Sequence, residues 1–172
     1  MTRRVEPTRG ALLDASRRDN VRFGAAVYGS FPVASVVGVA FEAEQDARVM
    51  TTSAFGSALV FWLAHWWSEV IGEQISAGEA FRRRDVLVVA RREWPLVEAA
   101  VVPTLLLALA WAGVWSRETG AELALGAAVL QIAGWALVAG RRAGWSWPRA
   151  VLFAAVDGAL GIVLLLLEKL VH

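Results

Sequence analysis

Residues 121–140 read AELALGAAVLQIAGWALVAG, and Arg141-Arg142 follow directly. Twenty helical residues rise about 30 Å, the thickness of a bilayer's hydrocarbon core. Glu122 stands near the start of the stretch and Gln131 lies inside it. This pattern predicts a transmembrane helix. Four further segments qualify, at about 23–41, 50–72, 94–115 and 147–171, whereas the stretch from Glu73 to Glu93 is too polar to cross. The composition agrees: 57% hydrophobic and 19% charged residues, with a mean hydropathy of +0.50. A water-soluble domain has roughly 45–50% apolar and ~25% charged residues. The expected fold class is all-α, a polytopic membrane protein with five spans in one membrane domain, 23–171, after a basic segment, 1–22. Gly38-Val39-Ala40 could pass for a signal-peptide cleavage site, but the apolar run before it is too long, so the first span is expected to be a retained anchor.

Orientation follows from the placement of Lys and Arg. Fourteen of the 17 basic residues fall on one side: Arg3, Arg4, Arg9, Arg17, Arg18 and Arg22 before the first span, Arg82, Arg83, Arg84, Arg91 and Arg92 between the second and third, and Arg141, Arg142 and Arg149 between the fourth and fifth. The N-terminus is therefore expected in the cytoplasm and the C-terminus outside. Trp94, Trp115, Trp145 and Trp147 lie at expected boundaries, where aromatic rings favour the interface.

Ser76-Ala77-Gly78-Glu79 fits a capping box, so a short amphipathic cytoplasmic helix is expected over about 77–92. Phe81, Val88 and Val89 would face the membrane, and Arg82, Arg83, Arg84, Arg91 and Arg92 would meet anionic lipid headgroups. Pro95 and Pro148 suit first helical turns, and Pro103 should bend the third span. Ala154, Gly158 and Gly161 in the fifth span offer a self-association face; packing within the chain would use the same residues.

Ionisable and polar groups inside spans are costly, which makes them functional candidates. They are Tyr28, His65, Glu69, Glu98, Gln131 and Asp157. Counting inward from the expected cytoplasmic boundaries, His65, Gln131 and Asp157 each lie nine residues deep, roughly 13–14 Å. A midplane cluster of these three is expected. His65, Glu69 and Glu73 follow at i, i+4 and i+8 on one helix face. With Tyr28 they form a stripe toward the cytoplasm that could relay protons, and His65, Glu69 and Glu73 could ligate a divalent metal. Glu98 suits the first turn of its helix. There are no cysteines, and no catalytic triad, phosphate loop or nucleotide fingerprint is visible. An enzyme is not expected, nor is nucleic-acid binding.

The arrangement resembles the vacuolar iron transporter family. VRFGAAVYGS at 21–30 and VVGVA at 36–40 are similar to that family's first span, and SEVIGEQIS at 68–76 is similar to the end of its second. The fourth span closing on Gly140-Arg141-Arg142 and the glycine-bearing fifth also fit. The resemblance implies a homodimeric exchanger of protons and a divalent metal, with the metal as cargo and no permanent cofactor. Of the family's metal positions only Glu73 carries over; Tyr28 stands where the family has aspartate and Glu69 where it has methionine. The link between the second and third spans is arginine-rich here and glutamate-rich in the family. Arginine, alanine and valine usage also resembles small membrane proteins of high-GC bacteria, which implies a multi-pass protein of the plasma membrane. The function expected is a small transporter or channel for protons or a divalent cation. The rival is an accessory membrane protein whose polar groups only fix helix packing.

Overall fold

Long apolar runs bounded by caps and glycine turns give six helices in the computed structural model, which describes residues 27–77 and 83–171. They are α1 (Val27–Glu42), α2 (Ala47–Ala77), α3 (Arg83–Arg92), α4 (Pro95–Trp111), α5 (Arg117–Arg142) and α6 (Trp147–Val171). No strand occurs among the described residues. The chain is all-α. The expectations for residues 1–26, for the capping box ending at Glu79, for Phe81 and Arg82, and for His172 lie outside the described residues. Two helices, α2 over Ala47–Ile75 and α5, are long and apolar enough to cross a membrane, and the bent pair α3–α4 makes a third from Val86 to Trp111. These helices are consistent with a multi-pass membrane protein.

Three turns share one construction. Glu44 at φ 53° and Gly113 and Gly144 at φ 79° take the left-handed conformation. The next residue in each turn, Gln45, Val114 or Trp145, then donates its N–H at 3.0 Å to Ala40, Leu109 or Gly140. This closes a helix C-terminus. Asp46 caps α2 through Val49 N–H at 2.7 Å, and Ser116 caps α5 through Thr119 N–H at 3.2 Å. Arg117 reaches back from α5 to the carbonyls of Phe41 and Gln45.

The core joins α1, α2, α4 and α5 through Val33, Val37, Met50, Ala54, Ala100, Leu107 and Ala124. Its alanines allow close helix approach, which is how membrane helices gain dispersion contacts. Gly29 packs its backbone directly on that of α4, where an added Cβ would lie 2.8 Å from the Leu96 carbonyl oxygen. α6 packs on α5. Gly158 and Gly161, read as a self-association face, point at Ala133 and Ile132 of α5. The packing within the chain takes that face because glycine lets the two backbones close.

Prolines set the shape of the third long segment. Pro95 has no N–H, so the helical ladder breaks at Glu93–Trp94 and the chain turns by 41° between α3 and α4. Leu96 and Val97 bond instead to Glu93 and Trp94, three residues back. α3 does not lie apart from the bundle, as an interfacial helix would. It folds back along α2, where Trp66 donates to the Val86 carbonyl at 3.0 Å and Trp62 to the Ala90 carbonyl at 3.3 Å. Val89, expected to face the membrane, is buried. Trp94 meets Trp62 edge-on at 5.5 Å. Trp62 lies ten residues from Gly72 on α2, about 15 Å, so Trp94 and Gly72 are not level, although both were read as inner boundaries.

Pro103 leaves the Ala99 carbonyl without its helical donor, and Gln131 Nε2 of α5 supplies one at 3.3 Å. Replacing Gln131 by Leu should lower stability by about 0.6–1.7 kcal/mol, the range for interhelical hydrogen bonds in membranes. In a Pro103→Ala background, which restores the N–H, the same replacement should cost little. Thermal unfolding of the four proteins in detergent completes the cycle; equal costs in both backgrounds would refute the pairing.

Candidate functional site

The polar groups gather where α3 turns into α4. Glu93, at the break, is 2% exposed, and its carboxylate touches two partners. His65 Nε2 lies 3.4 Å from Oε2, and Arg92 Nε donates to Oε1 at 2.8 Å. The other nitrogens of Arg92 reach α2: Nη1 donates to Glu73 at 2.5 Å and Nη2 to Glu69 at 3.1 Å. One guanidinium thus engages three carboxylates from two elements. The helical spacing of His65, Glu69 and Glu73 puts them on one face, as expected, and that face meets the α3–α4 break. Sequence reading passed over Glu93, taking it as the end of a polar link. The available signal was Glu93-Trp94-Pro95: a proline two residues on breaks the helix and turns a boundary carboxylate inward.

Aromatic rings extend the site toward α1. Phe61 stacks on His65 at 6.4 Å and 14°, and Tyr28 lies 6.0 Å from the same imidazole. Tyr28 also lines a cavity of about 370 Å³ between α1, α5 and α6, with Phe31, Trp145, Phe153 and Asp157 among its walls. Asp157 is partly buried. Among the described residues its carboxylate makes no hydrogen bond or ion pair.

The expected trio of His65, Gln131 and Asp157 therefore does not share contacts. His65 meets Glu93, Gln131 serves the Ala99 carbonyl, and Asp157 faces the cavity. Equal depth leaves rotation open, and the three side chains meet different neighbours. Tyr28 stands between two of these places, near His65 on one side and at the cavity wall on the other. Glu98 sits in the first turn of α4.

The residues proposed for a divalent cation do not form a cage. Among the described residues no three His, Asp or Glu side chains converge on one point, and Glu69 and Glu73 both turn to Arg92. Of the arginines read as headgroup contacts, Arg92 points into the protein, Arg84 and Arg91 are exposed, and the side chains of Arg82 and Arg83 lie outside the described residues. Comparison with family models, curated proteins and solved structures finds no match.

Arg92 holds the network, so its loss should exceed the loss of any one partner. Arg92→Met leaves the buried Glu93 carboxylate without its cation and should cost about 3–5 kcal/mol, nearly all of it from Glu93, because Glu69 and Glu73 are half-exposed. Glu93→Gln keeps the shape and a hydrogen-bonding group and should cost about 1–3 kcal/mol. Thermal unfolding in detergent ranks the two; a Glu93→Gln loss equal to or greater than that of Arg92→Met contradicts the assignment.

Proposed function

We propose that this chain is a five-span membrane protein that moves protons, with Asp157 and the His65–Glu93 network as the groups that load and release them. The N-terminus is cytoplasmic. α1, α2, α5 and α6 each cross once, and α3 with α4 forms the bent third crossing, with α3 in the cytoplasmic half. The arginine distribution supports this orientation. The sequence has no cysteine, so single cysteines report topology without background. A cysteine at Arg84 should react with an impermeant maleimide only from the cytoplasmic side, and one at Glu44 only from the other. The reverse pattern overturns the orientation.

The observation that carries the proton reading is Asp157: a carboxylate on a membrane helix, facing an apolar cavity, with no partner among the described residues. A carboxylate in such a place serves no packing bond, and its two oxygens are free to exchange a proton. Charged groups kept in membranes for structure alone are as a rule paired, because an unpaired charge only costs stability. The second support is the network around Arg92. One Arg92 faces Glu69, Glu73 and Glu93, with His65 the fifth member. Glu93 is the buried carboxylate of the three, and it meets both the guanidinium and the imidazole, whereas Glu69 and Glu73 are half-exposed. Tyr28 joins the two regions.

A specific observation also favours the accessory reading: Arg92 ties α2 to the α3–α4 break as a packing clamp would. The two readings separate in sealed liposomes. With an imposed membrane potential, the parent protein should acidify or alkalinise the lumen, and Asp157→Asn should reduce this to the level of protein-free liposomes while eluting normally in gel filtration. Flux unchanged by Asp157→Asn removes Asp157 from the path. Absence of flux in the parent selects the accessory reading. Adding Fe²⁺, Mn²⁺ or Zn²⁺ on one side tests whether a divalent cation is coupled.

A further inference from the structure

The cavity beside Asp157 has walls of two kinds, and together they define an occupant. Its volume, about 370 Å³, falls in the range of small-molecule sites, roughly 300–1,000 Å³. Most of the wall is hydrocarbon and ring: Tyr28 and Phe31 from α1, Trp145 from the α5–α6 turn and Phe153 from α6. Trp145 and Phe153 meet edge to face at 5.1 Å and 84°, a favoured aromatic geometry that fixes both rings. One acidic side chain, Asp157, belongs to the wall.

Each class of guest can be tested against that surface. An apolar guest would leave the carboxylate desolvated and unpaired. An anion would be repelled by it. A bare divalent ion requires several protein ligands, six or more oxygens for Ca²⁺ and about three or four N, S or O atoms for Zn²⁺, and the cavity wall offers a single carboxylate and no His. An organic cation satisfies both kinds of wall. Its charge pairs with Asp157, its hydrocarbon leaves water against the rings, and ring faces attract the cation further. Two guanidiniums at the rim argue the other way: Arg149 lies 4.4 Å over the Trp145 ring and Arg141 4.5 Å over that of Trp147. Both are exposed, so water and salt screen them. Asp157 is partly buried and belongs to the wall itself, whereas neither guanidinium is part of the lining.

We infer that this cavity binds a small lipophilic ammonium cation, with Asp157 as its counter-ion. The inference rests on the reading of Asp157 as the working carboxylate, and it names the substrate class of that site. A proton and an ammonium ion compete for the same oxygens, so the site can hold one or the other. That competition is the requirement for exchanging them across a membrane.

The test uses the full-length protein in detergent micelles and needs no flux. Tritiated benzyltrimethylammonium is equilibrated by dialysis, with unlabelled competitors. Neopentylbenzene has the same shape with carbon in place of the charged nitrogen, and phenylmethanesulfonate carries the opposite charge. The expected result is saturable binding, displaced by unlabelled cation and by neither competitor, and weakened by about tenfold or more in Asp157→Asn. Lowering the pH should weaken binding to the parent as protons occupy the carboxylate. Absence of saturable binding, equal displacement by neopentylbenzene, preference for the sulfonate, or unchanged affinity in Asp157→Asn each overturns the inference. The competitor series uses the parent protein alone, so it decides even if the variant fails to fold. Proton flux in liposomes without cation binding leaves the proton reading standing and removes this one; cation binding without proton flux does the reverse.

Discussion

Inside a bilayer there is no water to satisfy a backbone carbonyl, so each one freed by a proline must find a donor within the protein. Two such places organise this fold. Pro103 frees the Ala99 carbonyl, and Gln131 reaches it from α5. The break ahead of Pro95 takes Trp94 N–H away from the Ala90 carbonyl, and the indole of Trp62 reaches that carbonyl from α2. Each repair is also a tie between helices: the first holds α4 to α5, the second α3 to α2. The breaks thus become cross-links, and the bend at Glu93–Trp94 is held rather than merely allowed. Without that bend Glu93 would continue along a straight helix and would not meet both His65 and Arg92.

Charge follows from the same constraint. Arg92 comes to lie against α2 because α3 folds back along it, and a guanidinium there needs carboxylates. It has three. Asp157 is the contrasting case, on a helix packed against α5, with its cavity rather than a cation before it. Among the described residues there is thus one network with three carboxylates on a single guanidinium and one acid, Asp157, without a partner, with Tyr28 between them. A packing clamp explains the first arrangement. It gives no reason for the second, since an apolar residue at position 157 would fill the same wall at less cost.

Much of this was legible in the sequence because helices are local objects. The last apolar segment, read as 147–171, coincides with α6, and the segment read as 121–140 lies within α5. The shared face of His65, Glu69 and Glu73 follows from helical spacing alone. What failed was level and rotation. Equal depth for His65, Gln131 and Asp157 says nothing of rotation, and the three side chains meet Glu93, the Ala99 carbonyl and the cavity; level differs elsewhere, since Trp94 stands beside Trp62, well along α2 from Gly72. No periodicity could reveal that α3 doubles back, because indole-to-carbonyl bonds between helices settle it. Gln131 was weighed as a relay when the proline 28 residues before it had already set its task. Pro103 and Gln131 are both plain in the sequence, but their pairing depends on how α4 and α5 are turned toward each other.

Glu93 shows how a helix break can convert a boundary residue into a site. The same carboxylate two residues farther from a proline would have pointed with its own helix face. At the break its backbone N–H still bonds to Val89, while its carbonyl accepts from Leu96 in a three-residue turn. The side chain is thus held by α3 behind and α4 ahead, and it projects to the inside of the bend. His65 and Arg92 approach it from different elements, so a change in the angle between α3 and α4 must alter both contacts at once. In the proposed pathway, a proton taken up here would change the attraction that holds the bend, so site and third segment would be coupled through one carboxylate.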